Sequence, residues 1–160
     1  MNTFVKNIFT ALCIITLGIG AYAATPQEAR QFFDKYVNAT NTYSTEVPNF
    51  YSPTAKIIRQ VVKPDGSLVD VPFTMEQYRT QMKLSSATAK MRKYTNAYSD
   101  INIKTIDANT YQIDAKRQPS TGGDKLKTST TVQKQKDGKW LITKEVMQTK
   151  EQIFLKYAKK

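Results

Sequence analysis

Four consecutive segments in which apolar and polar residues alternate make up most of the second half of the chain. They span residues 94–106, 111–119, 126–135 and 140–152. Short turn-forming stretches separate them, among them the glycine-containing residues 122–124 and 136–138. Alternation with a period of two, broken by such turns, predicts a meander of four antiparallel strands. The apolar face of that sheet must be buried against another part of the chain.

The segment before these strands supplies a helix that could bury this face. Residues 25–28 read Thr-Pro-Gln-Glu, which places an N-cap threonine, a first-turn proline and a glutamate three residues after the cap. Apolar residues then follow helical spacing over residues 29–40. The pattern predicts an amphipathic helix that fades near Tyr43.

Between the helix and the meander, the sequence predicts a hairpin and a second helix. Residues 56–63 alternate and are rich in Ile and Val, and a Pro-Asp-Gly-Ser turn connects them to a return strand at residues 68–71. A second capping box opens at Thr74 and is followed by an apolar helix face. We expect residues 85–93 to be polar and irregular.

Helices kept apart from an antiparallel sheet define an α+β fold. The order of elements, together with FYSPTA at residues 50–55, VPFT at 71–74 and DGKWLI at 137–142, resembles the nuclear transport factor 2-like superfamily over residues 25–152. The resemblance implies a cone, in which a curved, mostly antiparallel sheet wraps around the N-terminal helix and often encloses an apolar pocket. It also implies homodimerisation through the open face of the sheet.

The N-terminal 23 residues are predicted to be a cleaved signal peptide. Lys6 precedes an apolar run at residues 8–19, and Ala21-Tyr22-Ala23 has the small-residue pattern of a cleavage site. The apolar core is shorter than the roughly 20 residues of a membrane span. Leucine before Cys13 also argues against a lipoprotein site. We therefore expect cleavage after Ala23, export to a Gram-negative periplasm, and one domain at residues 24–160.

Residue types exclude several kinds of catalysis. Residues 24–160 contain no cysteine and no histidine, so Ser–His and Cys–His nucleophiles and the usual zinc sites are excluded, and no metal or cofactor is expected. Isomerases of the superfamily would need an acid on the first strand, but residues 56–63 contain none, and its dehydratases need a histidine. The first prediction is a non-enzymatic binding domain that holds a small apolar or anionic ligand, or a partner protein, through a cone-shaped pocket or the sheet face. An isomerase- or cyclase-like enzyme and a periplasmic secretion or assembly scaffold remain alternatives.

Glu145 is the one acid expected to point inward, because it alternates onto the face of Leu141 and Met147. It is the weak catalytic candidate of the alternative, and an exposed glutamate paired with lysine is the other interpretation. Arg59 shares a face with apolar neighbours, so either Glu145 or an anionic ligand head group should pair with it. The expected ligand-pocket residues, which helical spacing alone would also place in a plain core, are Tyr36, Tyr43, Arg59, Tyr78, Met82 and Met147.

The chain is basic, with a formal net charge of +11 that falls to +10 after cleavage because Lys6 is the only charged residue removed. Residues 124–160 hold ten lysines and four acids. Such charge protects sheet edges from aggregation, and it could also bring weak contact with an anionic membrane surface. Nucleic acid is not an expected partner, since the aromatic residues do not interleave with the lysines. The tail at residues 153–157 is expected to dock onto the fold.

Overall fold

The computed structural model describes residues 23–158, so the predicted signal peptide lies outside the described residues except for Ala23. The α-helices are α1 (Pro26–Asn41) and α2 (Met75–Met91). Two short 3₁₀ helices cover Val47–Phe50 and Gln152–Tyr157. The strands are β1 (Tyr51–Val62), β2 (Leu68–Phe73), β3 (Asn96–Asp107), β4 (Thr110–Pro119), β5 (Leu126–Lys134) and β6 (Trp140–Thr149).

Both α-helices begin at the predicted capping boxes. The Thr25 hydroxyl accepts a hydrogen bond from the Glu28 backbone N–H at 3.2 Å, and the Glu28 carboxylate accepts one from the Thr25 N–H at 2.8 Å. Thr74 and Gln77 repeat the exchange at the start of α2. Each box satisfies two backbone donors that a helix start would otherwise leave without a partner.

The expectation of an irregular segment at residues 85–93 is wrong, because α2 continues to Met91. No glycine or proline interrupts residues 75–91, and Ala, Lys and Met favour a helix. The segment was interpreted as irregular because it is polar, and its side chains are indeed largely exposed, Met91 among them at 78%. The polar residues of this segment therefore belong to a solvent-exposed helix and not to a loop.

The six strands form one curved sheet in the order β2-β1-β6-β5-β4-β3. Strands β3 to β6 form the predicted antiparallel meander, and β1 joins it by pairing in parallel with β6. The concave side packs on α1, where Phe33 is buried and meets Tyr98 edge-on with ring centroids 5.4 Å apart. The fold is therefore the α+β cone that the sequence predicted.

A bulge at Thr143 changes which residues of β6 face the core. Thr131 pairs with Lys144 and Val132 with Ile142, so one residue of β6 has no partner on β5. As a result both Ile142 and Glu145 are buried, although strict alternation would separate them. The expectation that Leu141 shares the face of Glu145 is wrong for this reason.

A second irregularity lies at the start of β1. The register between β1 and β6 shifts between Tyr51 and Lys56, and Pro53 falls within this shift. Proline cannot donate to a ladder, so it is tolerated where the pairing is broken. The strand consequently begins five residues earlier than the alternation from Lys56 predicts.

The convex side of the sheet is mostly polar. Gln60 and Gln148 hydrogen-bond to each other at 2.9 Å, and Asp114 accepts from Ser129 at 2.8 Å. Val146 lies half-buried among these polar groups. No helix within the described part of the chain has the length and apolarity to cross a membrane.

The C-terminal 3₁₀ helix docks onto the fold, as expected. Phe154 meets Phe73 edge-on with ring centroids 5.8 Å apart, and it is half-buried against the core. Tyr157 contacts the same phenylalanine ring at 5.6 Å while remaining largely exposed. The aromatic residues of the tail therefore pack on Phe73 of strand β2.

Candidate functional site

A cavity of about 360 Å³ lies between α1, α2 and the concave face of the sheet. Its walls are rich in aromatic rings, with five of the nine tyrosines of the chain among them. Ser85 and Glu151 are exposed residues at the cavity, so its rim reaches solvent. The tyrosines that line it are Tyr36, Tyr43, Tyr78, Tyr94 and Tyr98.

All six residues predicted for the pocket line this one cavity. They are Tyr36, Tyr43, Arg59, Tyr78, Met82 and Met147. Helix α1 carries Tyr36, helix α2 carries Tyr78 and Met82, and the paired strands β1 and β6 place Arg59 directly opposite Met147. The structure thus brings the six together, while ligand binding by them stays a prediction.

Arg59, which lines the cavity, forms a buried ion pair with Glu145, which lies behind it. Arg59 Nη1 donates to Glu145 Oε1 at 2.7 Å, and the glutamate is 0% exposed. The Arg59 guanidinium also lies 5.2 Å from the ring centroid of Tyr78, a cation–π distance. Of the two partners expected for Arg59, the structure supplies the carboxylate.

Two tyrosines complete the coordination of this carboxylate. Glu145 Oε2 accepts from the Tyr36 hydroxyl at 2.8 Å and from the Tyr51 hydroxyl at 2.7 Å. Each hydroxyl has one proton, so Tyr51 has none left and can only accept from the Tyr78 hydroxyl, 3.0 Å away. The result is a hydrogen-bonded chain from Glu145 through Tyr51 to Tyr78 at the cavity wall.

The tyrosines that hydrogen-bond to Glu145 and to one another stay in their neutral form. Burial, and after it the negative charge of Glu145, raises the pKa of Tyr36 and Tyr51 well above the usual value of 10.0. Burial raises the pKa of Tyr78 in the same way. Burial alone would lower the pKa of Arg59, but the Glu145 charge outweighs it and raises that pKa. The phenols therefore act as donors and not as bases near neutral pH.

Glu145 itself does not line the cavity, and neither does Tyr51. Arg59, Tyr36 and Tyr78 line it and contact one or both of these residues, so they lie between the carboxylate and the cavity. A general base must lie within hydrogen-bond reach of the proton that it removes. The weak catalytic candidate is thus placed where it orients wall residues instead of facing a ligand.

Among the polar cavity residues that were missed from the sequence, Tyr94, Asn96 and Arg117 form one hydrogen-bonded group. Arg117 is only 5% exposed and donates from Nη1 to Asn96 Oδ1 at 2.7 Å and to the Tyr94 hydroxyl at 3.2 Å. A signal for it existed, because Arg117 alternates with Ile113 and Ala115 on the inward face of β4. Arg59 was expected to be buried because it shares a strand face with apolar residues, and the same reasoning predicts a buried Arg117.

The other acids play local roles. Asp65, Asp107 and Asp137 each accept a backbone N–H two residues further on, as predicted for turn residues. The Ser67 hydroxyl and then its N–H lower the pKa of Asp65, and the backbone N–H bonds from Asn109 and Lys139 lower the pKa of Asp107 and Asp137. Within residues 23–158, no group of three or more acidic side chains is arranged to hold a metal ion.

No model of a known protein family matches the chain, and no curated protein sequence matches it either. Solved structures do match. A nuclear transport factor 2-like protein of unknown function from Shewanella oneidensis has 14% identity and a TM-score of 0.57, over 78% of this chain and 100% of that one.

Two further structures agree. A scytalone dehydratase-like protein from Novosphingobium aromaticivorans has 11% identity and a TM-score of 0.56, over 76% of this chain and 80% of that one. A domain of unknown function with a cystatin-like fold from Nostoc punctiforme has 13% identity and a TM-score of 0.54, over 81% and 82%. At these identities the likeness establishes the fold alone. The chain has the fold of the nuclear transport factor 2-like superfamily.

Proposed function

We propose that this chain is an exported, non-enzymatic binding protein that holds a small apolar or anionic ligand in the cavity of its cone. The observation that carries the proposal is the composition of the cavity wall. Aromatic rings surround a space of about 360 Å³, and buried guanidinium and hydroxyl groups of Arg59, Arg117 and Tyr78 are set into it. Apolar walls with a few fixed polar groups are typical of small-molecule sites.

The position of Glu145 supports binding over acid–base catalysis. Three donors already occupy its oxygens, and wall residues separate it from the cavity. Breaking the Arg59 contact to free the carboxylate would leave Arg59 buried without its counter-charge, which is costly. The pair therefore serves to fix the wall in one geometry.

Native mass spectrometry of protein purified from the periplasm tests the proposal. We expect extra mass that is lost on denaturation. The matched variants are Ala89→Trp, which fills the cavity from α2, and Ala87→Trp, two residues away on an exposed side of the same helix. The first should abolish the extra mass and the second should retain it. If the unmodified protein carries no extra mass even in the presence of excess periplasmic extract, ligand binding is refuted.

One observation favours an enzyme of the isomerase or cyclase kind as the second candidate. The Tyr78 hydroxyl lines the cavity and begins a hydrogen-bonded chain that runs through Tyr51 to Glu145, so it could carry a proton from a ligand to the carboxylate. Incubating recovered ligand with fresh protein separates the two functions. A binding protein returns the ligand unchanged, whereas an enzyme converts it, and Tyr78→Phe should then abolish conversion while the ligand still binds.

A further inference from the structure

Arg117 is a buried cation that has no counter-charge among the residues that the structure describes. It donates to Asn96 Oδ1 and the Tyr94 hydroxyl through Nη1, and to the Gln148 backbone carbonyl through Nη2 at 3.0 Å. All three acceptors are neutral. The seven ion pairs found in residues 23–158 do not include it.

The hydrogen-bonding capacity of Arg117 is also incomplete. A guanidinium has five N–H groups, and three hydrogen bonds leave two of them without an acceptor. Its Nε is buried and has no partner at all. Buried polar groups are nearly always satisfied, so the two free N–H groups of Arg117, a residue that lines the cavity, are available to an acceptor that binds there.

The charges around the cavity lead to the same conclusion. Arg59 and Glu145 neutralise each other, which leaves Arg117 as one uncompensated positive charge in a buried setting. The one acid among the lining residues is Glu151, which is exposed at the rim and makes no ion pair with another described residue. An unpaired buried charge is costly, and one negative charge inside the cavity would compensate it.

We propose that Arg117 binds the carboxylate of a small organic acid, whose aromatic or aliphatic body lies against the tyrosines of the cavity. The inference rests on the proposed function and names the chemical class of its ligand. A planar carboxylate can accept two parallel hydrogen bonds from a guanidinium, and its single charge matches the single excess charge. A phosphate monoester carries nearly two negative charges at neutral pH and fits this balance less well.

The walls around Arg117 define the rest of the ligand. Tyr94 and Tyr98 from the β3 region and Phe154 from the C-terminal 3₁₀ helix line the same cavity. Burial raises the pKa of Tyr98, so its hydroxyl stays neutral and adds no competing charge. A flat, apolar body attached to the carboxylate would therefore contact rings on more than one side.

Titration calorimetry with naphthylacetate and its neutral counterpart naphthylacetamide tests the inference. The two compounds have nearly the same shape and differ in charge. We expect the acid to bind the parent chain about tenfold to a hundredfold more tightly than the amide, the range for a charge-assisted hydrogen bond. This comparison uses the unmodified protein, so it does not depend on a variant that folds.

Variants then locate the effect. Arg117→Met should remove the preference for the acid, and Arg117→Lys should keep part of it because the charge remains. Arg92→Met should not alter it, because Arg92 is exposed just after the end of α2 and does not line the cavity. Decanoate and decanamide, measured in parallel, distinguish a lipid-derived acid from an aromatic one. A merely structural Arg117 would change stability but not the acid-to-amide ratio.

Equal binding of acid and amide would overturn the inference and leave the proposed function standing. A preference for the acid that survives in Arg117→Met would overturn it as well. If none of the four compounds binds at millimolar concentration, the inference is wrong. The proposed function is then decided separately by the mass of the protein isolated from the periplasm.

Discussion

Arg59 and Glu145 face each other across the parallel ladder of β1 and β6, with Nη1 and Oε1 2.7 Å apart and the carboxylate fully buried. Residue 59 pairs with Met147 and residue 57 with Glu145, so the two charged side chains come from adjacent inward positions of neighbouring strands. The ion pair therefore connects the N-terminal hairpin to the last strand of the meander.

Replacing one member of this pair should be far more damaging than replacing both. We expect Glu145→Gln to lower the free energy of unfolding by about 3 kcal/mol or more, because Arg59 keeps its buried charge without a partner. The double variant Arg59→Met, Glu145→Leu should recover much of that loss. Urea denaturation measures both values.

An exposed ion pair provides the control. Arg30 and Asp34 lie one turn apart on α1, with side chains 44% and 55% accessible. Asp34→Asn should change stability by less than about 0.5 kcal/mol. If Glu145→Gln had an equally small effect, the buried pair would not stabilise the fold.

The buried tyrosines should make the protein lose stability at alkaline pH. The pKa values of Tyr36, Tyr51, Tyr78 and Tyr98 are raised above 10.0 by burial first of all. Above pH 10 the unfolded chain releases these protons and the folded chain keeps them, so the unfolded state binds fewer protons and stability falls as pH rises. The loss reaches up to about 1.4 kcal/mol per pH unit for each group.

The variant Tyr98→Phe measures how much one of these tyrosines contributes to the loss of stability at alkaline pH. Urea denaturation at several values between pH 9 and 11 should give a shallower decline for this variant, by about one proton. Tyr157→Phe is the matched control, since it removes the hydroxyl of a tyrosine that is 48% exposed. Identical slopes for Tyr98→Phe and the parent chain would contradict the assignment.

The convex face of the sheet is the predicted homodimer surface. Val146 lies half-buried between the Gln60–Gln148 pair and Asp114, all lining one shallow depression of that face. In a two-fold dimer every substitution at the surface occurs twice. Val146→Lys should therefore convert a dimer to a monomer in light scattering after gel filtration, without a change in circular dichroism.

Leu84→Lys controls for added charge, because Leu84 is 77% exposed on α2 and away from the sheet. It should leave the oligomeric state unchanged. A parent chain that is monomeric at high micromolar concentration would contradict the prediction of a dimer.

Export should remove residues 1–23 and leave Ala24 as the first residue. Ala24 is buried, its N–H donates to the Ala108 carbonyl at 3.2 Å, and its carbonyl accepts from the Tyr111 hydroxyl at 2.6 Å. Intact mass of the protein from a Gram-negative periplasm checks the cut. Ala21→Lys should block it and accumulate precursor, because a cleavage site requires a small residue there.

Local chemistry explains why much of the fold could be predicted. The capping boxes at Thr25 and Thr74 and the turns at residues 64–67 and 136–138 depend on neighbouring residues alone, and the structure confirms them. The burial of Arg59 followed from its apolar neighbours on the same strand face. These features need no knowledge of distant contacts.

Other features depend on pairing between distant strands. The bulge at Thr143 is seen only in the pairing of β6 with β5, and no glycine, proline or other local pattern near residue 143 predicts it. The cavity needs Arg117 from β4 and Tyr78 from α2 to meet, although they are far apart in sequence. Periodicity assigns a side chain to a face and cannot say which other side chains share that face.

The parallel pairing of β1 with β6 has a consequence for how the chain is made. No hydrogen-bonded ladder connects the β1–β2 hairpin directly to strands β3–β5. Strand β6 lies between them in the sheet and pairs with both β1 and β5. Because β6 follows the other five strands in the chain, the β1–β2 hairpin and the β3–β5 ladders can form before β6 is available, but they cannot be joined. The six-stranded sheet therefore forms only after β6 has been synthesised.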